Sequence, residues 1–258
     1  MELIDTHCHL ESSEFEGRLE QVLAEARNAG IVKLITASIT PEQWGMSQTL
    51  AETFPEVAFA LGVHPWYLTP EDVTRVDALR AARDRGAVAI GEIGLDGKVG
   101  SSALDAQIPL FEAQLRIACD LDLPVVLHCR AAFGELLRTL KTVGAPKAGG
   151  VVHAFSGSVE LARELARYGL CFAMGGTLTY RNSRKRAHVL RYVYPEHLLL
   201  ETDSPDIPPV EVRGRGEPNV PANIRYNLAA AAETLGETEE TVAAVTTANA
   251  RRVFNLAE

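Results

Sequence analysis

The chain has 258 residues, 47% of them hydrophobic, and a formal net charge of −9. This length accommodates one α/β barrel with a substantial core and leaves little room for a second full domain, so we expect one domain over residues 1–258. The acidic balance disfavours indiscriminate coating of nucleic acid, so any contact with a polyanion has to be local.

The start of the chain and its cysteines are typical of a cytoplasmic protein. Glu2 and an apolar strand follow Met1 directly, so no secretion signal is expected, and no apolar run approaches the roughly 20 residues of a membrane span. The cysteines lack CxxC spacing and are predicted to be reduced thiols. No obligate protein partner is evident. The cysteines are Cys8, Cys119, Cys129 and Cys171.

Eight short apolar runs recur along the chain, with segments of helical periodicity between them, such as 111–118 and 133–140. Continuous apolar strands that alternate with amphipathic helices predict a parallel sheet covered by helices. The predicted strands are LIDTH (3–7), VKLITAS (32–38), VAFALGV (57–63), AVAIGEI (87–93), PVVLH (124–128), GGVVHAF (149–155), LCFAMGG (170–176) and LLLETD (198–203).

Eight such units fit a closed (β/α)₈ TIM barrel better than a doubly wound sheet, which usually has fewer strands and a glycine-rich first turn. The sequence contains neither a GxGxxG nor a P-loop pattern. Two alanine-rich segments, 223–235 and 239–253, are predicted to be the closing helices.

Five of the seven histidines fall at the carboxyl ends of predicted strands, which is the face where TIM barrels carry their active sites. Two carboxylates end the fourth and eighth strands. Imidazole and carboxylate groups together are the expected ligands of Zn²⁺, Mn²⁺ or Mg²⁺, and their number suffices for two divalent ions. The converging set is His7, His9, His64, Glu92, His128, His153 and Asp203.

Spacing within this set suggests individual roles. His7 and His9 lie two residues apart, so both can face the barrel lumen. Asp5, one step deeper, is expected to orient a histidine through its second ring nitrogen, and Glu201 stands in the same relation to Asp203. His64, just before a proline, is either a substrate contact or a support for a ligand.

Two ions also need a bridging group. The fourth strand offers Glu92 and no lysine, and Lys98 in the following loop is a poorer candidate. A bridging carboxylate would hold a hydroxide between ions roughly 3.5–4 Å apart. Asp203 could bind one ion and accept a proton from the attacking water, so Glu92 and Asp203 are the predicted catalytic carboxylates.

Within the chain, GVVHAFSGS (150–158), GGTLTY (175–180) and ETDSPDIP (201–208) look like the YjjV-type branch of the TatD-type metal-dependent hydrolases, in the amidohydrolase superfamily. Seven sequence blocks together resemble that family and follow its order over nearly the whole chain. The blocks are IDTHCH (4–9), LGVHPW (61–66), GEIGLD (91–96), LPVVLHCR (123–130), VVHAFSG (151–157), LLETDSP (199–205) and PNVPAN (218–223).

The resemblance implies metal-dependent hydrolysis of DNA, typically exonucleolytic from the 3′ end of single strands. It also implies that His7, His9 and Asp203 hold one ion, that His128 and His153 hold the other, and that Glu92 bridges them. Two departures concern substrate preference, because neither touches a predicted ligand. GLD is followed by GKVG instead of aromatic residues, and HAFSG replaces the usual HCFSG.

Basic residues near the predicted active face suit an anionic substrate. Arg130 follows the fifth strand, the segment RNSRKR (181–186) follows the seventh, and Arg213 and Arg215 follow the eighth. RNSRKR is either a phosphate contact or the solvated start of a helix. Trp66 and Tyr67 either line the site and stack on a base or pack into the core.

Three functions are compatible with these residues. The first is a two-metal phosphodiesterase acting on single-stranded DNA ends. The second is an amide, lactone or ester hydrolase acting on a small anionic molecule, because the same hydroxide attacks carbonyl carbon. The third is a metal-binding barrel without turnover. The basic residues favour a phosphate substrate, and the complete ligand set opposes an inactive scaffold.

Overall fold

A computed structural model of the protein describes residues 1–98, 104–180 and 183–257. All eight predicted strands are present and form one parallel sheet whose order follows the chain. The strands are β1 (Leu3–Cys8), β2 (Ile31–Ala37), β3 (Val57–Leu61), β4 (Ala89–Asp96), β5 (Val125–Arg130), β6 (Gly150–Val152), β7 (Leu170–Met174) and β8 (Leu198–Leu200).

The residues that follow β8 return to β1 and bring the two ends of the sheet together. Cys8 and Ser204 form a parallel bridge. The Asp203 N–H donates to the His7 carbonyl at 2.9 Å, and the His9 N–H donates to the Ser204 carbonyl at 2.8 Å. The sheet is therefore a nearly closed (β/α)₈ TIM barrel, which confirms the predicted fold.

Helices alternate with the strands, and the two predicted closing helices are present as α8 and α9. The α-helices of the described residues are α1 (Leu19–Asn28), α2 (Trp44–Thr53), α3 (Asp72–Arg75), α4 (Leu104–Leu121), α5 (Phe133–Val143), α6 (Val159–Ala166), α7 (Arg184–Val193), α8 (Ile224–Leu235) and α9 (Glu239–Phe254). Short 3₁₀ helices occupy Ser13–Phe15, Pro41–Gln43, Val76–Ala81, Gly176–Thr179 and Pro221–Asn223.

The apolar core has two parts. The larger part lies between the sheet and the surrounding helices. The smaller part fills the lower lumen, where small and branched residues from all eight strands meet Ala250, Val253 and Phe254 of α9. Helix α9 therefore packs against the apolar end of the barrel. The polar residues come later along each strand and lie at the carboxyl-terminal end of the barrel.

The cysteines are unpaired, as predicted: three are buried and Cys119 is partly exposed. No helix among the described residues is both long and apolar enough to cross a bilayer.

Candidate metal centre

The candidate centre lies directly above the apolar lumen. On β5 and β6, Val126 and Val151 belong to the lumen core, and two residues later His128 and His153 share the same face. On β8, Leu199 is followed at the same spacing by Glu201 and then by Asp203. Strand alternation therefore places a layer of polar side chains directly above the apolar side chains of the lumen.

Two strands depart from this spacing. The lumen residues Ile4 and Ala89 precede His7 and Glu92 by three positions instead of two. Both strands carry a shift in register, between Asp5 and Cys8 in β1 and between Ile90 and Ile93 in β4. Such an irregularity re-aims the side chains that follow it, and here it directs His7 and Glu92 into the shared layer.

The Glu92 carboxylate lies at the middle of this layer and faces two separate groups of imidazoles. Its Oε2 is 3.3 Å from His7 Nε2 and 3.6 Å from His9 Nε2. Its Oε1 is 3.0 Å from His128 Nδ1 and 2.8 Å from His153 Nε2. One oxygen of this buried carboxylate thus faces His7 and His9, and the other faces His128 and His153.

Asp203 completes the first group. Its Oδ1 is 3.3 Å from His7 Nε2 and 3.4 Å from His9 Nε2, and these two nitrogens are 3.2 Å apart. In the second group, His128 Nδ1 and His153 Nε2 are also 3.2 Å apart. Nitrogen atoms that converge in this way cannot all satisfy one another, whereas a cation can accept all their lone pairs.

The charges of the layer are mutually dependent. Burial opposes ionisation of Glu92 and Asp203, but the surrounding imidazoles hold the pKa of both carboxyls well below their usual values. Burial also opposes protonation of His128, but Asp96 and Glu92 raise its pKa to about 9. Burial prevails at His153 and lowers its pKa to about 4. The site therefore attracts positive charge while keeping some imidazoles neutral.

This donor set fits divalent metal ions. Imidazoles beside ionised carboxylates are the ligands that Zn²⁺ and Mn²⁺ prefer, and an ion that binds an imidazole nitrogen displaces its proton. Three overlapping groups have their ligand atoms close enough to share an ion: His7, His153 and Asp203; His7, His9 and Glu92; and His64, Glu92 and His128.

Contacts behind the layer fix two of the imidazoles. His9 Nδ1 is 2.8 Å from the Ala37 carbonyl, so Nδ1 carries the ring proton. Its Nε2 is then unprotonated and has a lone pair that can bind an ion. His128 Nε2 is 2.8 Å from Asp96 Oδ2, so in the same way its Nδ1 is left to face Glu92. Hydrogen bonds of this kind orient metal-binding histidines.

Asp5 does not orient a histidine in the predicted way. Its carboxylate accepts hydrogen bonds from the Thr202 N–H at 2.9 Å, the Thr202 hydroxyl at 2.5 Å and the His7 backbone N–H at 3.3 Å. These bonds tie the Asp5 side chain to the segment that follows β8. Burial raises the pKa of Asp5 to about 7.

Glu201 approaches an imidazole but does not bond to it. Its Oε1 accepts a hydrogen bond from the Ala154 N–H at 2.7 Å and is 3.9 Å from His153 Nδ1. Burial raises the pKa of this carboxyl well above its usual value. Glu201 therefore lies behind His153, on the side away from Glu92.

His64 reaches the same carboxylate from β3. Its Nε2 is 3.2 Å from Glu92 Oε1, and its Nδ1 accepts a hydrogen bond from the Trp66 N–H at 3.1 Å. The structure therefore brings His64 together with the predicted ligands, at the edge of the second group.

Asp96, which closes the GEIGLD block, was not among the site residues predicted from the sequence. Asp96 Oδ2 accepts from His128 Nε2 at 2.8 Å, Trp66 Nε1 at 2.7 Å and Arg130 Nε at 2.8 Å. These donors hold the pKa of Asp96 below its usual value, although burial opposes this. Its position four residues after Glu92 on β4 was the available signal, because alternation places both on one face.

The basic residues are distributed unevenly around the site. Arg130 lies at the opening with its side chain 48% exposed. Ser183 caps α7 by accepting from the Arg186 N–H, so the described part of RNSRKR forms a helix start, and Arg181 lies outside the described residues. Lys185 donates to the Ser156 carbonyl, and Arg213 lies over the Tyr180 ring.

A cavity of about 760 Å³ opens above the layer, within the usual range for small-molecule sites. Glu92, His128 and Asp203 lie in its wall with Trp66, Tyr67 and Arg130.

Comparisons with known proteins agree on one family. The model of the family described as TatD related DNase matches residues 4–255. The metal-dependent hydrolase YjjV of Escherichia coli K12 is 35% identical, with 98% of each chain covered. The 3′-5′ ssDNA/RNA exonuclease TatD of a Pantoea species is 33% identical over 99% of this chain and 100% of its own. The crystal structure of E. coli YjjV superimposes with a TM-score of 0.90 at 34% identity, covering 99% of this chain and 98% of that one.

Proposed function

The chain belongs to the TatD family of metal-dependent hydrolases, and from this premise we propose that it uses two divalent ions to hydrolyse phosphodiester bonds at single-stranded DNA ends. The observation that carries the proposal is the position of Glu92, whose two oxygens face separate groups of histidines. A single ion would use only one side of this carboxylate.

The ligands divide between the two groups. His7, His9 and Asp203 would hold one ion, His128 and His153 would hold the other, and Glu92 would bridge them. Bound divalent ions supply Lewis acidity toward a phosphoryl oxygen and lower the pKa of water. The ligand set combines imidazole with carboxylate, and this combination favours Zn²⁺ or Mn²⁺ over Mg²⁺.

The protein's own groups would then orient the substrate and move the proton. Asp203 remains ionised and lies at the cavity wall, so it can accept a proton from the attacking water. Arg130 keeps its terminal guanidinium nitrogens without a hydrogen-bond partner within the described part of the chain, and it can bind a phosphate oxygen. The same Asp96 oxygen, Oδ2, accepts hydrogen bonds from both Arg130 and His128.

A nucleic-acid substrate is supported by relatives and by local charge. The Pantoea relative is named a 3′-5′ ssDNA/RNA exonuclease, and a zebrafish relative, 32% identical, is named a putative deoxyribonuclease. Arg130 supplies positive charge at the cavity of an otherwise acidic chain. Local positive charge is the minimum requirement for binding a polyanion.

The test is digestion of 5′-labelled single-stranded DNA by the metal-loaded protein, with His128→Ala as the inactive control. We expect stepwise shortening from the 3′ end by the wild type and none by the variant. Equal shortening by both proteins, or no shortening by either, would contradict the proposed function. A parallel screen of lactone and amide substrates would then identify a carbonyl hydrolase with the same centre.

A further inference from the structure

Beside the metal centre, a guanidinium lies over an indole ring at the cavity opening. The Arg130 guanidinium carbon lies 5.0 Å from the centroid of the Trp66 ring. Arginine stacks readily on aromatic faces in this way. Both side chains line the cavity and are nearly half exposed, Trp66 at 44% and the Arg130 side chain at 48%.

Hydrogen bonds to a buried carboxylate hold this pair of side chains in place. The Trp66 Nε1–H and the Arg130 Nε–H both donate to Asp96 Oδ2, at 2.7 and 2.8 Å. Asp96 is itself 1% exposed. A tryptophan that served only core packing would bury its ring, whereas this indole is fixed at its polar edge and leaves much of its surface to solvent.

The Trp66–Arg130 pair is adjacent to the proposed reaction site. The Trp66 ring centroid is 6.0 Å from that of His128, whose Nδ1 faces Glu92. A phosphate held at the metal centre would therefore place the sugar and base of the same nucleotide close to Trp66. Tyr67, which is 46% exposed and also lines the cavity, adds a second aromatic ring to this side.

We propose that Trp66 and Arg130, anchored by Asp96, form a stacking site for the nucleobase of the nucleotide whose phosphate enters the metal centre. This rests on the proposed function and names how its substrate is recognised. Stacking selects a planar base over a bare phosphodiester and tolerates any of the four bases, because each has an aromatic face.

The first experiment compares two single-stranded oligonucleotides that differ only at the last two 3′ positions, which carry bases in one and abasic residues in the other. A stacked base contributes enough for the wild type to prefer the base-bearing substrate by roughly 5- to 150-fold in kcat/KM. We expect Trp66→Leu to bring this ratio close to one through a loss of activity that is greater on the base-bearing substrate. Trp66→Phe should retain most of the preference.

Tyr226 on α8 provides the matched control, since it is 38% exposed and lies away from the cavity. Tyr226→Leu should preserve the wild-type ratio. An unchanged ratio in Trp66→Leu would overturn the proposal, as would an equal loss on both substrates in that variant.

A binding experiment tests the stacking site without turnover. Trp44→Phe leaves Trp66 as the single tryptophan. We expect its fluorescence to be quenched by a deoxynucleoside 5′-monophosphate and not by deoxyribose 5-phosphate. Equal quenching by both ligands, or by neither, would overturn the proposal. If the wild type cleaves no oligonucleotide, the proposed function fails, and this measurement alone decides whether the base site exists.

Discussion

Replacement of Asp96 by asparagine should weaken metal binding in a manner that depends on pH. Asp96 accepts the proton of His128 Nε2 and so leaves Nδ1 available to an ion. Loss of such an outer partner typically costs 10- to 100-fold in metal affinity. The same substitution removes a charge that raises the pKa of His128 to about 9 in the ion-free protein.

Below pH 9 these two effects change the metal affinity in opposite directions. At pH 7 the wild type has to displace a proton from His128, and the two-unit gap to a pKa of about 9 corresponds to roughly a hundredfold penalty. The variant keeps Glu92 beside His128, but the loss of Asp96 lowers the His128 pKa toward the ordinary 6.5 and so reduces this penalty. We therefore expect a deficit of about 10- to 100-fold at pH 9 that becomes smaller at pH 7.

The assay is competition for Mn²⁺ against a chelator whose own pH dependence is known, with the His128 titration followed by NMR in the ion-free protein. Asp72→Asn is the matched control, because Asp72 is equally buried, accepts from the Thr69 N–H and hydroxyl, and lies away from the centre. A deficit of the same size at both pH values, or an unshifted His128, would refute the reasoning.

Three further predictions concern protons, stoichiometry and packing. At pH 7.5 metal binding should release at least one proton, since His128 with a pKa of about 9 is protonated in the ion-free protein; calorimetry in buffers of different ionisation enthalpy measures this. Glu92→Gln should reduce metal content below two ions per chain and lower activity at least 100-fold, measured by elemental analysis and DNA digestion. Gly91→Ala should lower the melting temperature by roughly 2–12 °C, because the added Cβ would lie 2.5 Å from Val126 Cβ. Gly45→Ala is the control and should not lower it, because the added Cβ would have no atom within 4 Å.

Each of these outcomes has a clear opposite. Calorimetric heats that do not depend on the buffer would contradict the protonation of His128. Two ions retained by Glu92→Gln would remove the bridging role. A Gly91→Ala protein as stable as Gly45→Ala would mean that β4 and β5 can separate at this point without cost.

The proton on His128 also has a consequence for stability. Its folded pKa of about 9 exceeds the unfolded value of 6.5, so the stabilisation is complete below pH 6.5 and is lost as the pH rises through 9. The His128 contribution to ion-free stability should therefore decline across this interval.

Much of this arrangement followed from strand periodicity. The apolar runs identified all eight strands because a parallel sheet covered on both faces reads as continuous hydrophobic sequence. The convergence of His128, His153 and Asp203 followed from the same alternation, once their positions at strand ends were known. Convergence required only that the barrel close.

What remained hidden depends on contacts between distant segments. Asp5 bonds to Thr202 across the junction of β1 and β8, and a contact between residues 197 positions apart leaves no mark in the local pattern. Asp96 gains its importance from three side-chain donors on two other segments, Trp66 after β3 and His128 and Arg130 on β5. Alternation along β4 places Asp96 on the same face as Glu92, but it gives no indication of those partners.

The most direct test of the two-ion centre is anomalous diffraction from crystals soaked in Mn²⁺. The account predicts two peaks on opposite sides of the Glu92 carboxylate, one within bonding distance of His7 and His9 and the other within bonding distance of His128 and His153. A single peak that leaves one side of Glu92 without an ion, or peaks that Glu92 does not contact, would contradict it.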